Sequence, residues 1–237
     1  MRNIFCTKSN NNFALALVIG FLLLGALAWW SAEPCAAQYA ALNQAAVGNY
    51  VKFGTYPQGD NGEQEAIVWR VLQKNADSLL LCSQYGLDVV PYDPANKPIT
   101  WKDCHLRVWL NRDFVEKAFT EAERQRLIAE RHSTPANPQF KTPGCADTVE
   151  RVWSLSIDEA RKYYKDDLDR LCYPTPYARS KGAYTVPNDG MCWTWLRSPG
   201  QDPKHAACVY TFGNVELEGC GVYYTIGCVR PVIKVKL

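Results

Sequence analysis

The stretch Cys-Trp-Thr-Trp-Leu-Arg-Ser-Pro-Gly at residues 192–200 decides how the fold is interpreted. Residues 192–196 have the composition of a β-strand, in which successive side chains point to opposite faces. Trp193 and Trp195 therefore share one face, where a pair of indoles is expected to pack in the core. Arg197 follows directly, and a buried guanidinium is costly unless it is paired. We expect all three side chains to have structural roles.

The sequence continues after this stretch in short strand-like segments separated by turns. Their β-branched and aromatic residues predict strands at residues 206–210, 215–218 and 227–237. Glycines and polar residues lie between these segments, so the C-terminal half is expected to be rich in loops. Arg230 belongs to the last segment, and we expect it, like Arg197, to bridge structural elements.

Helical patterns occupy the middle of the chain. Leu106, Trp109 and Leu110 have the spacing of one helix face, so Trp109 is expected to pack inward. Prolines at residues 132–147 predict a loop, anchored by Cys145. Capping-box patterns predict two further helices, at residues 121–128 (Thr120 with Glu123) and 157–164 (Ser156 with Glu159).

Strand patterns also begin the folded part of the chain, at residues 50–53, 66–74 and 79–82. Strands at both ends with helices between them are typical of the α+β class. We therefore expect one α+β domain over residues 48–237, in which the first and last strands pair.

The N-terminus has the pattern of a targeting segment. Basic residues precede an uncharged, mostly apolar run at residues 13–30, and small residues follow it. This order is typical of a secretory signal, with cleavage predicted after Ala37. The run is also close to the length of an uncleaved membrane anchor, and this alternative stays open. Residues 1–37 are thus a signal peptide or anchor and residues 38–47 a linker, and the protein is expected to be secreted or periplasmic.

Composition excludes one class of partner. The chain has 26 Lys and Arg against 24 Asp and Glu, a formal net charge of +2. Nucleic-acid binding needs a concentrated basic surface, so no nucleic-acid partner is expected. With 47% hydrophobic residues and a mean hydropathy of −0.26, the chain can bury a core, and contact with a membrane is expected only through the N-terminal segment.

Cysteine usage agrees with export. Of the ten cysteines, Cys6 and Cys35 lie in the N-terminal segment, and the remaining eight, an even number, permit disulfides in an exported chain, with about 105 possible pairings. Cys220 and Cys228 flank a glycine-rimmed hairpin and form one candidate pair, while Cys208 competes for Cys220. No Cys-x-x-Cys motif occurs, which argues against a zinc ribbon. The eight disulfide candidates are Cys82, Cys104, Cys145, Cys172, Cys192, Cys208, Cys220 and Cys228.

No catalytic constellation is visible. The three histidines, His105, His132 and His205, are scattered, and Cys104 next to His105 would point elsewhere on a helix. Serine-hydrolase, zinc-protease and nucleotide-binding motifs are all absent. No catalytic residue is expected.

Seven motifs, one of them the short Tyr177-Ala178, together resemble a bacterial family called domain of unknown function 6273. The resemblance extends in order over nearly the whole exported domain. The motifs lie at residues 51–58, 69–72, 106–111, 154–160, 177–178, 192–200 and 227–231.

This resemblance implies a fold. The family looks like a relative of the C-type-lectin-like proteins, which combine short helices with twisted antiparallel strands and include the formylglycine-generating enzymes. The segment at residues 192–200 and the closing Gly-Cys-Val-Arg at residues 227–230 carry this second link. A fold does not by itself imply a function.

Two activities of related folds lack support in the sequence. Formylglycine-generating enzymes use a pair of active cysteines, and the surroundings of the only candidates, Cys220 and Cys228, do not match that motif. The tripeptides with which C-type lectins bind calcium are absent, so no metal or cofactor is expected. Calcium binding stays open as an alternative that no motif supports. The acidic cluster of Asp166, Asp167 and Asp169 is expected to be solvated.

Loops in the C-terminal part of the chain are the best candidates for ligand recognition, since loops on a rigid scaffold commonly carry function. Asn214, Glu216 and Glu218 alternate along a predicted strand, and a Tyr223-Tyr224 turn follows. We expect an exported, non-catalytic ligand-binding module for a glycan or protein at the cell envelope, with an oxidoreductase or a structural envelope protein as alternatives. The expected ligand-binding residues are Gln201, Asp202, Asn214, Glu216, Glu218, Tyr223 and Tyr224.

Overall fold

A computed structural model describes residues 39–237, and the predicted signal or anchor segment at residues 1–37 lies outside them. The strands are β1 (Tyr50–Pro57), β2 (Gln64–Lys74), β3 (Ser78–Ser83), β4 (Asp88–Val89), β5 (Glu130–Thr134), β6 (Cys145–Glu150), β7 (Val152–Trp153), β8 (Thr194–Pro199), β9 (His205–Val209), β10 (Val215–Gly221), β11 (Cys228–Val229) and β12 (Val232–Lys236). The helices are α1 (His105–Trp109), α2 (Val115–Ala118), α3 (Glu121–Arg126), α4 (Ile157–Tyr163), α5 (Asp167–Arg170) and α6 (Pro176–Ser180). A 3₁₀ turn (Trp101–Asp103) precedes α1, and a π-helical turn (Leu110–Phe114) joins α1 to α2. No helix within the described residues is long and apolar enough to cross a membrane.

The first sheet has the order β1-β2-β3-β12-β7. The last long strand, β12, lies antiparallel between β3 and β7. The expected pairing of the first and last strands is therefore wrong, because β12 adds to β3 instead of β1. All six residues of β3 are buried, so this strand needs a neighbour on each edge and cover on each face.

The second sheet has the order β10-β9-β8-β11-β4 and contains the stretch at residues 192–200. Its central strand β8 is buried at every position except Pro199, which is half-buried. β8 pairs antiparallel with β9 and parallel with the short β11, while β10 forms one edge. The α+β class, with several antiparallel sheets and short helices, is confirmed.

The predicted loop at residues 132–147 is partly wrong. Both of its ends form strands, since β5 pairs antiparallel with β6 from Glu130↔Glu150 to Thr134↔Cys145. The three prolines lie in the connection between the strands, where they interrupt no ladder. Asn137 orders this connection by donating from Nδ2 to the carbonyls of Pro199 and Leu217, both at 2.9 Å.

Both predicted capping boxes are confirmed, at the starts of α3 and α4. Each helix ends one or two residues earlier than expected. Trp109, at the end of α1, is half-buried and packs against Phe114 with ring centroids 5.6 Å apart.

A single hydrophobic core joins the two large sheets. Each aromatic side chain contributes a large apolar area, and truncating one to alanine typically costs about 3–5 kcal/mol. Four of the largest fully buried side chains are Trp69, Trp101, Trp153 and Trp195.

Residues 40–49, which include most of the predicted linker, form turns against the first sheet. Ala45 is fully buried in the core, and Lys74 donates to its carbonyl at 2.8 Å. The amide of Ala40 also donates to the carbonyl of Tyr50 at 3.0 Å. This part of the chain is therefore attached to the domain by hydrogen bonds and burial.

Candidate functional site

A turn after β10 presents two exposed tyrosines, Tyr223 and Tyr224. Their rings meet edge to face, with centroids 5.0 Å apart and an interplanar angle of 76°. The two residues are 43% and 41% exposed, and with Thr225 and Ile226 they line an open depression of about 200 Å³. Aromatic faces with a hydroxyl at one end suit ligands that present both C–H and polar groups.

Buried anchors on both sides hold this turn. Before it, Val222 is fully buried and its amide donates to the carbonyl of Lys204 at 2.9 Å. After it, Gly227 lies so close to Trp193 that an added Cβ would be 2.1 Å from the indole ring. Only glycine fits there without displacing a buried tryptophan, so the sequence places the exposed tyrosines between two rigid points.

Two further tyrosines extend the exposed area. The amide of Tyr184 donates to the carbonyl of Ile226 at 2.9 Å, which joins residue 184 to the turn. Burial first, and the neighbouring Tyr184 second, raise the pKa of Tyr210. We call Tyr184, Tyr210, Tyr223, Tyr224 and Ile226 the tyrosine surface; each is between 39% and 43% exposed.

Two predicted polar residues lie at the start of the edge strand β10. Asn214 donates from Nδ2 to Glu216 Oε2 at 3.3 Å, so these side chains share a face as expected. The backbone carbonyl of Asn214 accepts from Tyr210, which connects the pair to the tyrosine surface. The pairing register shifts between Glu216 and Cys220, however, and this irregularity separates Glu218 from the other two.

The remaining predicted polar residues lie toward the end of β10. The amide of Gln201 donates to the carbonyl of Glu218 at 2.8 Å. Asp202 Oδ1 accepts from the amide of Lys204 at 2.7 Å and lies 2.8 Å from His205 Nδ1. These hydrogen bonds, that of His205 first, lower the pKa of Asp202. Its carboxylate therefore shapes the turn between β8 and β9.

The tryptophans expected to be structural are buried in the second sheet. Trp193 and Trp195 meet edge to face with centroids 4.6 Å apart. Trp195 Nε1 donates to the carbonyl of Val90 at 3.1 Å, which satisfies its polar atom inside the core.

Arg197 and Arg230 are both buried but are compensated differently. Arg197 binds Glu159 with two nitrogens, one at 2.9 Å from Oε1. Arg230 donates to the carbonyls of Ser83 and Arg170, both at 2.9 Å, and lies 5.2 Å from the ring centroid of Tyr164. Each arginine bridges elements that are distant along the chain.

Within the described residues, no two of the candidate cysteines are at disulfide bonding distance. Cys208 and Cys220 face each other on β9 and β10 with Sγ atoms 3.4 Å apart. Cys228 instead belongs to a buried cluster with Cys172 and Cys192. The Cys220–Cys228 pair favoured by the hairpin pattern is therefore not formed, because β11 carries Cys228 to the far side of β8.

A second candidate site is a polar cavity of about 210 Å³ between the first sheet, β5 and α4. Sequence analysis missed it, since His132 falls in the region predicted as a loop. His132 and Thr134 are buried and alternate with exposed residues along β5. Assigning this segment as a strand would have indicated that both side chains point inward. Gln73, Lys234 and Glu159 also line this cavity.

A buried charged network extends behind the cavity. Glu150 accepts from Arg107 at 2.6 Å and from the indole of Trp101 at 2.9 Å. Its other oxygen, which has no hydrogen-bond partner, is 4.0 Å from Nε2 of His132. Burial first, and the charge of Arg197 second, lower the pKa of His132, so this imidazole is neutral at pH 7.

Metal binding has no preformed site in the part of the chain that the structure describes. No group of three or more His, Cys, Asp or Glu side chains is arranged there to hold an ion. Glu216 and Asn214 supply oxygen atoms but lack further oxygen ligands of the kind calcium requires.

Comparison with known proteins places the chain in a family. A search of curated proteins and a search of solved structures each found no match. The sequence profile of the family described as a domain of unknown function (DUF6273) matches residues 76–237. This match covers more than half of the chain and contains the second sheet, the tyrosine surface and most of the polar cavity, so the chain belongs to the DUF6273 family.

Proposed function

We propose that the protein is an exported, non-catalytic binding module that recognises a glycan at the bacterial cell envelope. The tyrosine surface is the observation that carries this proposal. It displays several tyrosines at the edge of a sheet whose backbone is held by buried anchors. Exposed aromatic groups on a rigid scaffold lose little entropy when a ligand binds.

The chemistry of this surface favours a glycan over a protein. A sugar ring presents C–H groups on its faces and hydroxyls around its edge. The rings of Tyr223 and Tyr224, after the end of β10, offer apolar faces, while Asn214 and Glu216, at the start of the same edge strand, offer an amide and a carboxylate. A protein interface would instead require a larger apolar core with charged groups excluded from it.

We also propose that the two large sheets form a variant of the C-type-lectin-like fold. The resemblance of residues 192–200 and 227–230 to that group supports this assignment. So does the position of the tyrosine surface in the late loops, since loops on this type of scaffold carry recognition. The N-terminal pattern supports export, which would expose this surface to envelope glycans.

The oxidoreductase alternative has less support. It requires a reactive thiol pair at Cys220 and Cys228, and these residues belong to different clusters.

Binding to envelope fractions tests the proposal. Purified protein is incubated with isolated envelope material before and after periodate, which cleaves vicinal diols of sugars, and before and after protease. Loss of binding after periodate alone supports a glycan ligand. Binding that survives periodate but not protease refutes it in favour of a protein partner, and absence of any binding favours a structural role.

Substitutions locate the site. We expect Tyr223→Ala and Tyr224→Ala each to weaken binding at least about tenfold, the equivalent of 1.4 kcal/mol, because a stacking surface is lost. Tyr39→Ala is the matched control, since Tyr39 is 38% exposed but lies against Lys52 on the first sheet. Equal effects of all three substitutions would contradict the assignment.

A further inference from the structure

The polar cavity differs from the tyrosine surface in shape and chemistry. It lies between β2 and β12 of the first sheet, β5 and α4, and none of its lining residues belongs to the tyrosine surface. Its volume of about 210 Å³ is below the roughly 300 Å³ at which pockets begin to hold drug-sized ligands. An occupant must therefore be one small molecule.

Side-chain amides at one side of the cavity are held in fixed orientations. Tyr163 donates its hydroxyl to Gln73 Oε1 at 3.3 Å, and Gln73 Nε2 donates to Asn75 Oδ1 at 3.0 Å. Asn75 in turn donates from Nδ2 to Ser78 Oγ at 3.2 Å. Each amide group can still donate one hydrogen bond and accept another, so this chain presents both donors and acceptors to an occupant.

The charges that line the cavity are already paired. Lys234 Nζ lies 2.6 Å from Glu130 Oε1, and Glu159 binds Arg197. Arg131, which also lines the cavity, lies 3.8 Å from Asp147 Oδ2 in an exposed pair. Because each of these charges has a partner, an ionic ligand would gain little and would have to disrupt an ion pair. The neutral imidazole of His132 adds no charge.

Three buried apolar side chains form one part of the lining, which we call the floor of the cavity. Trp153 is buried there, and its ring contacts that of His132 with centroids 4.2 Å apart. Leu80 and Leu155 complete this part of the lining. The cavity therefore combines an apolar floor with a ring of fixed, electrically balanced polar groups.

We infer that this cavity binds one neutral, polyhydroxylated molecule of the size of a monosaccharide. Such a molecule matches the volume, presents C–H groups to the floor, and offers hydroxyls that both donate and accept hydrogen bonds. The inference does not depend on the proposed function, because the two sites share no residue.

Protein-observed NMR and calorimetric titration of the purified protein test this inference. The probes are a neutral hexose, an N-acetylhexosamine, a hexuronic acid and inorganic phosphate. We expect the neutral sugars to bind and to shift the side-chain amide signals of Gln73 and Asn75. Failure of every neutral sugar to bind would overturn the inference, as would tighter binding of the hexuronic acid or of phosphate.

Variants on two strands assign the binding to the cavity. Gln73→Leu keeps the side-chain size but removes its hydrogen bonds, and we expect affinity to fall at least tenfold. Lys234→Met should also weaken binding, whereas Lys236→Met, two residues along β12 and exposed, should not. Tyr163→Phe is the second variant, for use if Gln73→Leu fails to fold. It removes only one hydroxyl, so we expect a smaller loss of affinity.

One further variant separates this inference from the proposed function. Tyr224→Ala should leave monosaccharide binding unchanged while it weakens binding to envelope glycans. If Tyr224→Ala abolishes the monosaccharide signal and Gln73→Leu has no effect, the sugar binds at the tyrosine surface and the cavity assignment is wrong.

Discussion

Oxidation is expected to join Cys208 and Cys220 in the exported protein. Their Sγ atoms are 3.4 Å apart on adjacent antiparallel strands, whereas a disulfide needs about 2.05 Å. A movement of little more than 1 Å therefore closes the bond. Both strands support the edge of the sheet that carries the tyrosine surface, so the bond would stiffen the recognition site.

The size of the effect follows from the loop that the bond would close. For a loop of about 15 residues, close to the separation of Cys208 and Cys220, loop-closure entropy predicts stabilisation by about 3 kcal/mol. In a domain of about 200 residues, 1 kcal/mol corresponds to a change in Tm of roughly 2–4 °C. Reducing this bond should therefore lower Tm by roughly 6–12 °C.

Thermal unfolding with and without reductant measures this change. The Cys208→Ala, Cys220→Ala double variant is the control, since reductant should lower its Tm by less than it lowers that of the wild type. Peptide mapping by mass spectrometry identifies the bond directly. A bond between Cys220 and Cys228, or thiols at Cys208 and Cys220 in protein recovered from outside the cytoplasm, would refute the reasoning.

Three further predictions concern buried groups. Burial lowers the pKa of His132 from 6.5, so the unfolded state binds more protons and stability should fall as pH decreases below 6.5. In urea unfolding at several pH values, the unfolding free energy of His132→Gln should depend less on pH than that of the exposed control His105→Gln. Glu159→Gln leaves the buried guanidinium of Arg197 without its carboxylate and should lower the unfolding free energy by about 3 kcal/mol. Glu116→Gln, at an exposed position of α2, should lower it by almost nothing, and similar values for both variants would contradict the ion-pair assignment. Gly227→Ala places a methyl group 2.1 Å from the ring of Trp193. The substitution should therefore destabilise the domain by about 1–3 kcal/mol and weaken glycan binding. Unchanged stability would disprove the close contact.

Local patterns predicted several parts of the fold correctly. The capping boxes at Thr120 and Ser156 depend only on residues three positions apart, so the sequence is sufficient to predict their hydrogen bonds. The α+β class follows from the same kind of information, because strand and helix periodicities are local.

The polar cavity could not be predicted in this way. His132 and Glu150 come together only because β5 and β6 pair across a proline-rich connection. Arg197 reaches Glu159 from a strand 38 residues later in the chain. Neither contact has a sequence signature, since each depends on the packing of separate elements.

The sequence alone determined the targeting pattern, the class of the domain, the helix starts and the exposure of the tyrosines after β10, because each follows from the order and polarity of neighbouring residues. The tertiary structure decided that β12 lies between β3 and β7, that Cys220 faces Cys208, and that a balanced set of charges surrounds a polar cavity. These features require segments far apart in the chain to meet, and the free energy that selects one arrangement comes from burying the whole core at once.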